Sequence, residues 1–497
     1  MASILGWPRD PLGLLLALLL FVAHLLVAAR AVTRRNRTPA SRVAWVAVIM
    51  ALPLAGVVAY LLLGETSIGR ERVRRLREAE AQLRPPADAQ AAPIGDDTAA
   101  VALFELGRSI NGFAPQGGNR IELLGDAAAP PEQPMRDSDA AIDRLVADIA
   151  AAREHVHLGF YIWLDDGNGG KVVDAVAAAA RRGVQCRVMV DALGSRAFVR
   201  SARWRQLREA GAHLLATLND IPRLGHFALG RLDLRNHRKL AVIDNRIAYC
   251  GSQNCADPQF RVAARFAPWV DILLRCEGPV VRQAQALFLG SWIAQTGEAL
   301  AQLPSALPAP ERFEPGALAQ MFGTGPVDRT NAMSDMFVAA IYAAADDLLI
   351  TTPYFVPDEA MLRALCAAPR RGVRTTLIVP ARNNSRLVAA ACRSCYADLL
   401  DAGVAIHEYP LGLLHTKSIT IDGRLALVGS ANMDRRSLQL NFENNLLVAD
   451  RATTAAVRRR QLGYLSVSPA VTRDAVRAWR WRARLVQNAI GMMAPVL

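Results

Sequence analysis

The stretch 414–432, LHTKSITIDGRLALVGSAN, and the earlier stretch 236–254, NHRKLAVIDNRIAYCGSQN, carry one polar skeleton twice. In each, a His is followed by a Lys two residues on, an Asp five further, Gly-Ser seven beyond that, and a closing Asn. His237, Lys239, Asp244, Gly251, Ser252 and Asn254 thus recur as His415, Lys417, Asp422, Gly429, Ser430 and Asn432. A single His in an apolar stretch is an ordinary core residue. Two such skeletons in register mark one constellation built twice.

The apolar residues around each copy predict how it is presented. Ser418 to Asp422 and Leu425 to Gly429 are short β-prone runs joined at Asp422-Gly423, and the first copy turns at Asp244-Asn245, both signals of a tight hairpin. Residues two apart on a strand share a face, so His415 projects with Lys417 and His237 with Lys239. Gly251 and Gly429 end the return strands where bare backbone can approach a ligand. Asp244 and Asp422 fall at the turns and are expected to anchor local structure rather than to transfer protons.

Paired imidazoles, ammonium groups, hydroxyls and carboxamides suit a phosphodiester. One His attacks phosphorus while the other protonates the leaving oxygen, both roles open to a side chain that titrates near neutrality. Lys239 and Lys417, with Ser252, Asn254, Ser430 and Asn432 as phosphate-binding donors, would stabilise the charge on the phosphoryl oxygens through fixed dipoles, without a metal or another cofactor.

The doubled HxKxxxxDxxxxxxGSxN pattern resembles the phospholipase D superfamily, and both copies fit it without a gap. The resemblance implies an α/β fold of two repeated α/β/α halves that form one active site, with a covalent phosphohistidine intermediate. It also implies an orienting role for two downstream carboxylates, Asp271, 34 residues after His237, and Glu443, 28 after His415. The residues by themselves fit a surface carboxylate equally well.

Patterning outside the motifs repeats the same plan. In the first half Ser138 to Arg153 has helical period, His157 to Trp163 reads as strand, Lys171 to Arg182 as helix and Gln185 to Asp191 as strand. In the second half Leu348 to Phe355, Asp358 to Arg371 and Thr375 to Pro380 read as strand, helix and strand, the alternation of βαβ units. Expected boundaries are 1–69 for an N-terminal membrane hairpin, 70–97 for a basic stem and linker, 98–303 and 317–497 for the halves, and 304–316 for a Pro-rich bridge. The first half holds an extra segment, 219–236, before His237. It reads either as a lip beside the site or as surface decoration.

With 497 residues the chain exceeds one ordinary domain. A net charge of +13 and a pI near 10 favour an anionic partner. The N-terminus selects lipid over nucleic acid: Leu12 to Ala29 and Val43 to Leu63 each approach the ~20 residues a helix needs to cross a bilayer. A cleaved signal peptide is the competing reading of the first run, but a second apolar run follows directly. Arginines flank the spans almost evenly, so the positive-inside count gives no orientation. Seven scattered cysteines suit reduced thiols in a cytoplasmic compartment better than a disulfide framework. Cys392 and Cys395 read as helix packing rather than as half of a zinc site. The basic stem, Arg70 to Arg84, reads either as a headgroup contact or as a solvated helix, and the run from Val471 to Leu497 as an interfacial helix or one packed on the body.

The whole layout, two apolar spans followed by two motif halves, is similar to the bacterial cardiolipin synthase family. One departure is Asn384 in PARNNS, where similar enzymes often carry an Asp. That resemblance implies a multi-pass protein of the cytoplasmic membrane, catalytic part on the cytoplasmic side, whose substrates are phosphatidylglycerol and other anionic phospholipids. The reaction implied is phosphatidyl transfer between two phosphatidylglycerols, giving cardiolipin and glycerol. A phospholipase D-type hydrolase or a phosphatidylserine-forming transferase would use the same residues with another acceptor. A superfamily nuclease would fit the charge but not the spans, and a non-enzymatic membrane scaffold would not need either His.

Overall fold

The computed structural model describes residues 11–34, 39–64, 70–83, 95–125, 134–218, 234–299, 311–327, 329 and 331–493. Most of the 219–236 segment, most of the linker before residue 95 and most of the inter-half bridge lie outside the described residues. The chain divides into an N-terminal unit and a catalytic body that begins at Arg70.

In the N-terminal unit the helix Pro11–Thr33 is long and apolar enough to cross a membrane, with a mean hydropathy of 2.7. The second apolar run, expected as one continuous span, is two helices, Pro39–Ala51 and Pro53–Leu63. Pro53 has no N–H to donate and bars the residue before it from helical torsions, so Leu52 sits at φ −127°, ψ 78°. Trp45 and Tyr60 pack edge to face across this break, ring centroids 5.5 Å apart.

The body is built on one continuous sheet whose strand order reads the same from either edge. From the second half's edge the strands run Ala405–Tyr409, Arg374–Pro380, Asp347–Thr351, Ser418–Ile421, Leu425–Gly429, Asn441–Ala449 and Ala317–Thr324. The first half follows in mirror order as Gln116–Leu123, Leu273–Glu277, Ile247–Gly251, Lys239–Ile243, His155–Phe160, Gln185–Asp191 and His213–Thr217. The outer strands of each half are parallel and joined by helices, and the motif hairpins are antiparallel inside them. Ala317–Thr324 and Gln116–Leu123 pair antiparallel where the halves meet. The fold is therefore two phospholipase D-like α/β halves sharing one sheet.

Each half buries its own core. Ile142, Leu145, Val172 and Val188 close the first, and Met336, Ile350, Leu365 and Leu399 the second. A third cluster joins Val242, Leu274, Leu446 and Val448 at the seam under the helix Val281–Thr296. Two expectations change here. The helix Thr98–Asn111, expected to open the first half, buries Leu103 and Phe104 in the second half's core. The basic stem, Arg70–Leu83, is not wholly solvated; it buries Leu76 and Ala79 and packs on Val281–Thr296. At the other end, Trp479 of the C-terminal run packs against Tyr396, whereas the helix Trp481–Met493 leaves Trp481 and Leu485 exposed.

Candidate active site

The strands of the two motif hairpins are buried except at Ile247, and their turns are tight for the expected reason. Asp244 and Asn245 have φ of 50° and 52°, and Asp422 and Gly423 have 50° and 63°, the paired positive values of a hairpin turn. The Asp244 carboxylate accepts from the backbone N–H of Arg153, Glu154 and His155 at 2.8–2.9 Å. Asp422 does the same for Ala345, Asp346 and Asp347 at 2.8–3.0 Å. Both carboxylates fasten the hairpin tip to the strand entering beside it, away from the imidazoles. A cavity of 620 Å³ beside the first of these tips contains no imidazole.

At the other end of the hairpins His237 and His415 line one cavity of 320 Å³. His237 Nδ1 lies 2.8 Å from Glu443 Oε2, and His415 Nδ1 lies 2.6 Å from Asp271 Oδ1. Each carboxylate therefore serves the imidazole of the opposite half. With Nδ1–H donated to the acid, Nε2 of each ring keeps its lone pair. Burial drives the His237 pKa down to about 4, against the pull of Glu443, and the His415 pKa down to about 3, with Lys417 adding to the depression. At those values both rings are neutral near pH 7. Burial would push the two carboxyls up, but the imidazoles and lysines outweigh it and hold Glu443 and Asp271 below the usual carboxylate range.

Ser252 and Ser430, expected to bind phosphate, do not face the cavity. Ser252 Oγ donates to Asp271 at 2.6 Å and accepts from Ile272 N–H, and Ser430 Oγ donates to Glu443 and accepts from Asn444 N–H. A hydroxyl has one proton, so neither has one left for a phosphoryl oxygen. Their work is to hold the acids. Ser437 and Asn441 add two further donors to Glu443.

The lysines also differ from the simple expectation. Lys239 Nζ donates to the carbonyl of His237 at 2.7 Å and Lys417 Nζ to that of His415 at 2.6 Å, and neither side chain is part of the cavity wall. Both amines are buried. Burial lowers the Lys239 pKa to about 8 and lowers that of Lys417 well below its ordinary value.

Asn254 and Asn432 do line the cavity. Asn254 Oδ1 accepts from Ile162 N–H, which leaves its amide protons, while Asn432 Oδ1 is buried with no partner among the described residues. Sequence reasoning passed over Tyr161, Trp269, Tyr354, Arg235, Asp434 and Arg436, which complete the wall. Tyr161 meets the His237 ring edge to face at 4.8 Å, and Trp269 lies 4.6 Å from that of His415. The available signal was the aromatic cluster after each equivalent strand, Tyr161 to Trp163 and Tyr354 to Phe355, since crevices form at the carboxyl ends of parallel strands. Asn384 is also in the wall, accepting from Tyr354 Oη at 2.9 Å. Burial pushes the Asp434 carboxyl up to about 6.

A model described as the PLD-like domain of cardiolipin synthase matches residues 145–273 and 337–461, and one for the N-terminal region of phospholipase D-nuclease proteins matches 17–65. Cardiolipin synthase A of Cronobacter sakazakii is 38% identical over 481 residues, spanning 95% of this chain and 96% of that protein. The Erwinia tasmaniensis protein of the same name is also 38% identical, over 97% of this chain and 98% of its own. In fold, the chain is similar to the phosphatidylserine synthase of Haemophilus influenzae, with a TM-score of 0.56 at 13% identity, over 79% of this chain and 97% of that one. Taken with the doubled hairpin and the single cavity between two imidazoles, these likenesses show that the chain belongs to the cardiolipin synthase family, enzymes of the phospholipase D type.

Proposed function

We propose that the protein joins two phosphatidylglycerol molecules into cardiolipin with release of glycerol. His237 Nε2 attacks the phosphorus of the first lipid, and His415 protonates the glycerol oxygen that leaves. His415 then takes the proton from a hydroxyl of the second phosphatidylglycerol, whose oxygen attacks the phosphorus and displaces the His237 imidazole from it. One phosphodiester replaces another of similar energy, so no nucleotide is consumed. The observation that carries this reading is the single cavity lined by both rings, each tied through Nδ1 to a buried carboxylate so that Nε2 is the nitrogen left for chemistry. His237 takes the nucleophile's part because Glu443, itself held by Ser430, Ser437 and Asn441, fixes that ring more firmly.

The proton inventory is consistent with these roles. A neutral His237 is ready to attack. His415 gains its proton when the phosphodiester anion enters, since a negative charge nearby favours imidazolium. Lys239 and Lys417 supply positive charge behind the rings, and Asn254, Asn432, Arg235 and Arg436 are the donors for the phosphoryl oxygens. In this reading the N-terminal apolar helices hold the protein in the cytoplasmic membrane with the body on the reducing cytoplasmic side, consistent with seven thiols of which none is paired.

The test is to incubate the full-length protein with phosphatidylglycerol vesicles and measure cardiolipin and glycerol, with His237→Ala and His415→Ala in parallel. Equal amounts of both products from wild type and neither from the variants are expected. Phosphatidic acid in place of cardiolipin would instead support the hydrolytic reading.

A further inference from the structure

We infer that the rim of the cavity is a bilayer-docking surface of the catalytic body, separate from the N-terminal helices. The inference rests on the reading that the substrate is a bilayer phospholipid, and adds which face of the body meets the membrane.

Three segments distant in sequence meet at the cavity mouth. Gly194, Val262, Ala263 and Asn384 each line the cavity, and each belongs to a segment that ends in solvent. Beside Gly194, Leu193 is 54% exposed; on the short helix Arg261–Phe266, Val262 is 73% exposed; three residues after Asn384, Leu387 is 52% exposed. Isolated exposed leucines are common on any surface. Here one large apolar side chain stands out from each segment that borders the same opening.

Each segment also carries arginine. Arg196 and Arg200 follow Leu193, Arg265 follows Val262, and Arg382 and Arg386 flank Asn384, all exposed. None of the five has a carboxylate partner among the described residues; Arg265 lies over the ring of its neighbour Phe266. The body elsewhere pairs its arginines freely, as in Arg203 with Asp165 and Asp174, or Arg275 with Asp148 and Glu277. Apolar side chains interleaved with unpaired arginines are the chemistry of an anionic lipid interface: the former enter the headgroup–acyl boundary and the latter meet lipid phosphates.

The cavity's size calls for such a surface. At 320 Å³ it sits at the low end of the ~300–1,000 Å³ that takes one drug-sized ligand. It holds a headgroup and its phosphate and leaves the acyl chains outside. A rim seated on the bilayer lets those chains stay in hydrocarbon while the phosphorus reaches the imidazoles.

The experiment uses full-length protein and two forms of one substrate, phosphatidylglycerol in vesicles and dihexanoyl phosphatidylglycerol as dissolved monomers. The variants are Leu193→Asp with Leu387→Asp, and Arg196→Glu with Arg386→Glu. Each pair is expected to slow the vesicle reaction at least tenfold, with about fivefold for each arginine removed, and to leave the monomer reaction within twofold. Vesicle rates equal to wild type, or both rates falling together, would overturn the proposal. A second arm does not depend on turnover: amide exchange of 192–200, 260–266 and 382–390 is compared in nanodiscs with phosphatidylglycerol and in nanodiscs of phosphatidylcholine alone. Slower exchange of all three segments with the anionic lipid supports docking even if wild type makes no cardiolipin, in which case the proposed reaction fails and the surface stands. Unchanged exchange sinks the surface.

Discussion

His237 and Glu443 lie 206 residues apart in the chain and 2.8 Å apart in the fold. His415 and Asp271 repeat the relationship in the opposite direction at 2.6 Å. Each imidazole is thus oriented by a carboxylate from the other half, so neither half holds a complete site.

Glu443→Gln and Asp271→Asn keep the shape of the side chain but favour the wrong imidazole tautomer. Each should lower kcat by about 10²–10⁴-fold with little change in KM, by analogy with loss of the orienting acid in serine proteases. Rapid-quench labelling follows the two steps: both variants should form the phosphohistidine more slowly, and Asp271→Asn should also resolve it more slowly, because His415 is the acid of the first step and the base of the second.

Ser252→Ala and Ser430→Ala test the reassignment of the hydroxyls from phosphate to carboxylate. Both should reduce kcat about tenfold or more, the cost of one hydrogen bond to a charged group, and leave KM for phosphatidylglycerol within twofold. Asn254→Ala, which touches the cavity itself, should raise KM. Steady-state kinetics on mixed micelles would show the split.

Asp422→Asn should act on stability alone. Its carboxylate, held below the usual range by three backbone N–H groups that outweigh its burial, stabilises the fold while ionised. Because the folded pKa is depressed, that stabilisation is present above the ordinary value of 3.8 and is lost as pH falls through the folded value. At pH 7 the variant should melt several degrees lower and be destabilised by about 2 kcal/mol, with kcat within a few-fold of wild type. Denaturant titrations at pH 7 and pH 3 should converge at the lower pH.

The rate should fall on the alkaline side as Lys239 loses its proton near pH 8. Its charge is present below that pH and lost above it, so kcat/KM should decline about tenfold for each unit beyond. A flat profile to pH 10 would mean that this ammonium does not stabilise the developing phosphoryl charge.

Much of this was legible in the residues. The hairpins, the alternation of strand and helix and the roles at the Asp244 and Asp422 turns follow from local patterns of period two, period 3.6 and turn chemistry. Gln185–Asp191 and Leu425–Gly429 fall where the patterning put them. The break at Pro53 was also local, but the apolar run around it masked the proline's effect on a span. Pairings across the molecule were not legible. Which acid meets which imidazole, whether Ser252 faces a ligand or Asp271, and that Thr98–Asn111 packs on the second half all depend on how the two halves join.

The sequence by itself determined that two His-bearing hairpins exist and where they turn, because a strand's alternation and a turn's torsions are set by neighbours a few residues away. The tertiary structure alone decided that the halves share one sheet and exchange carboxylates. Those contacts join residues up to 206 positions apart, brought together only by burial of the common seam.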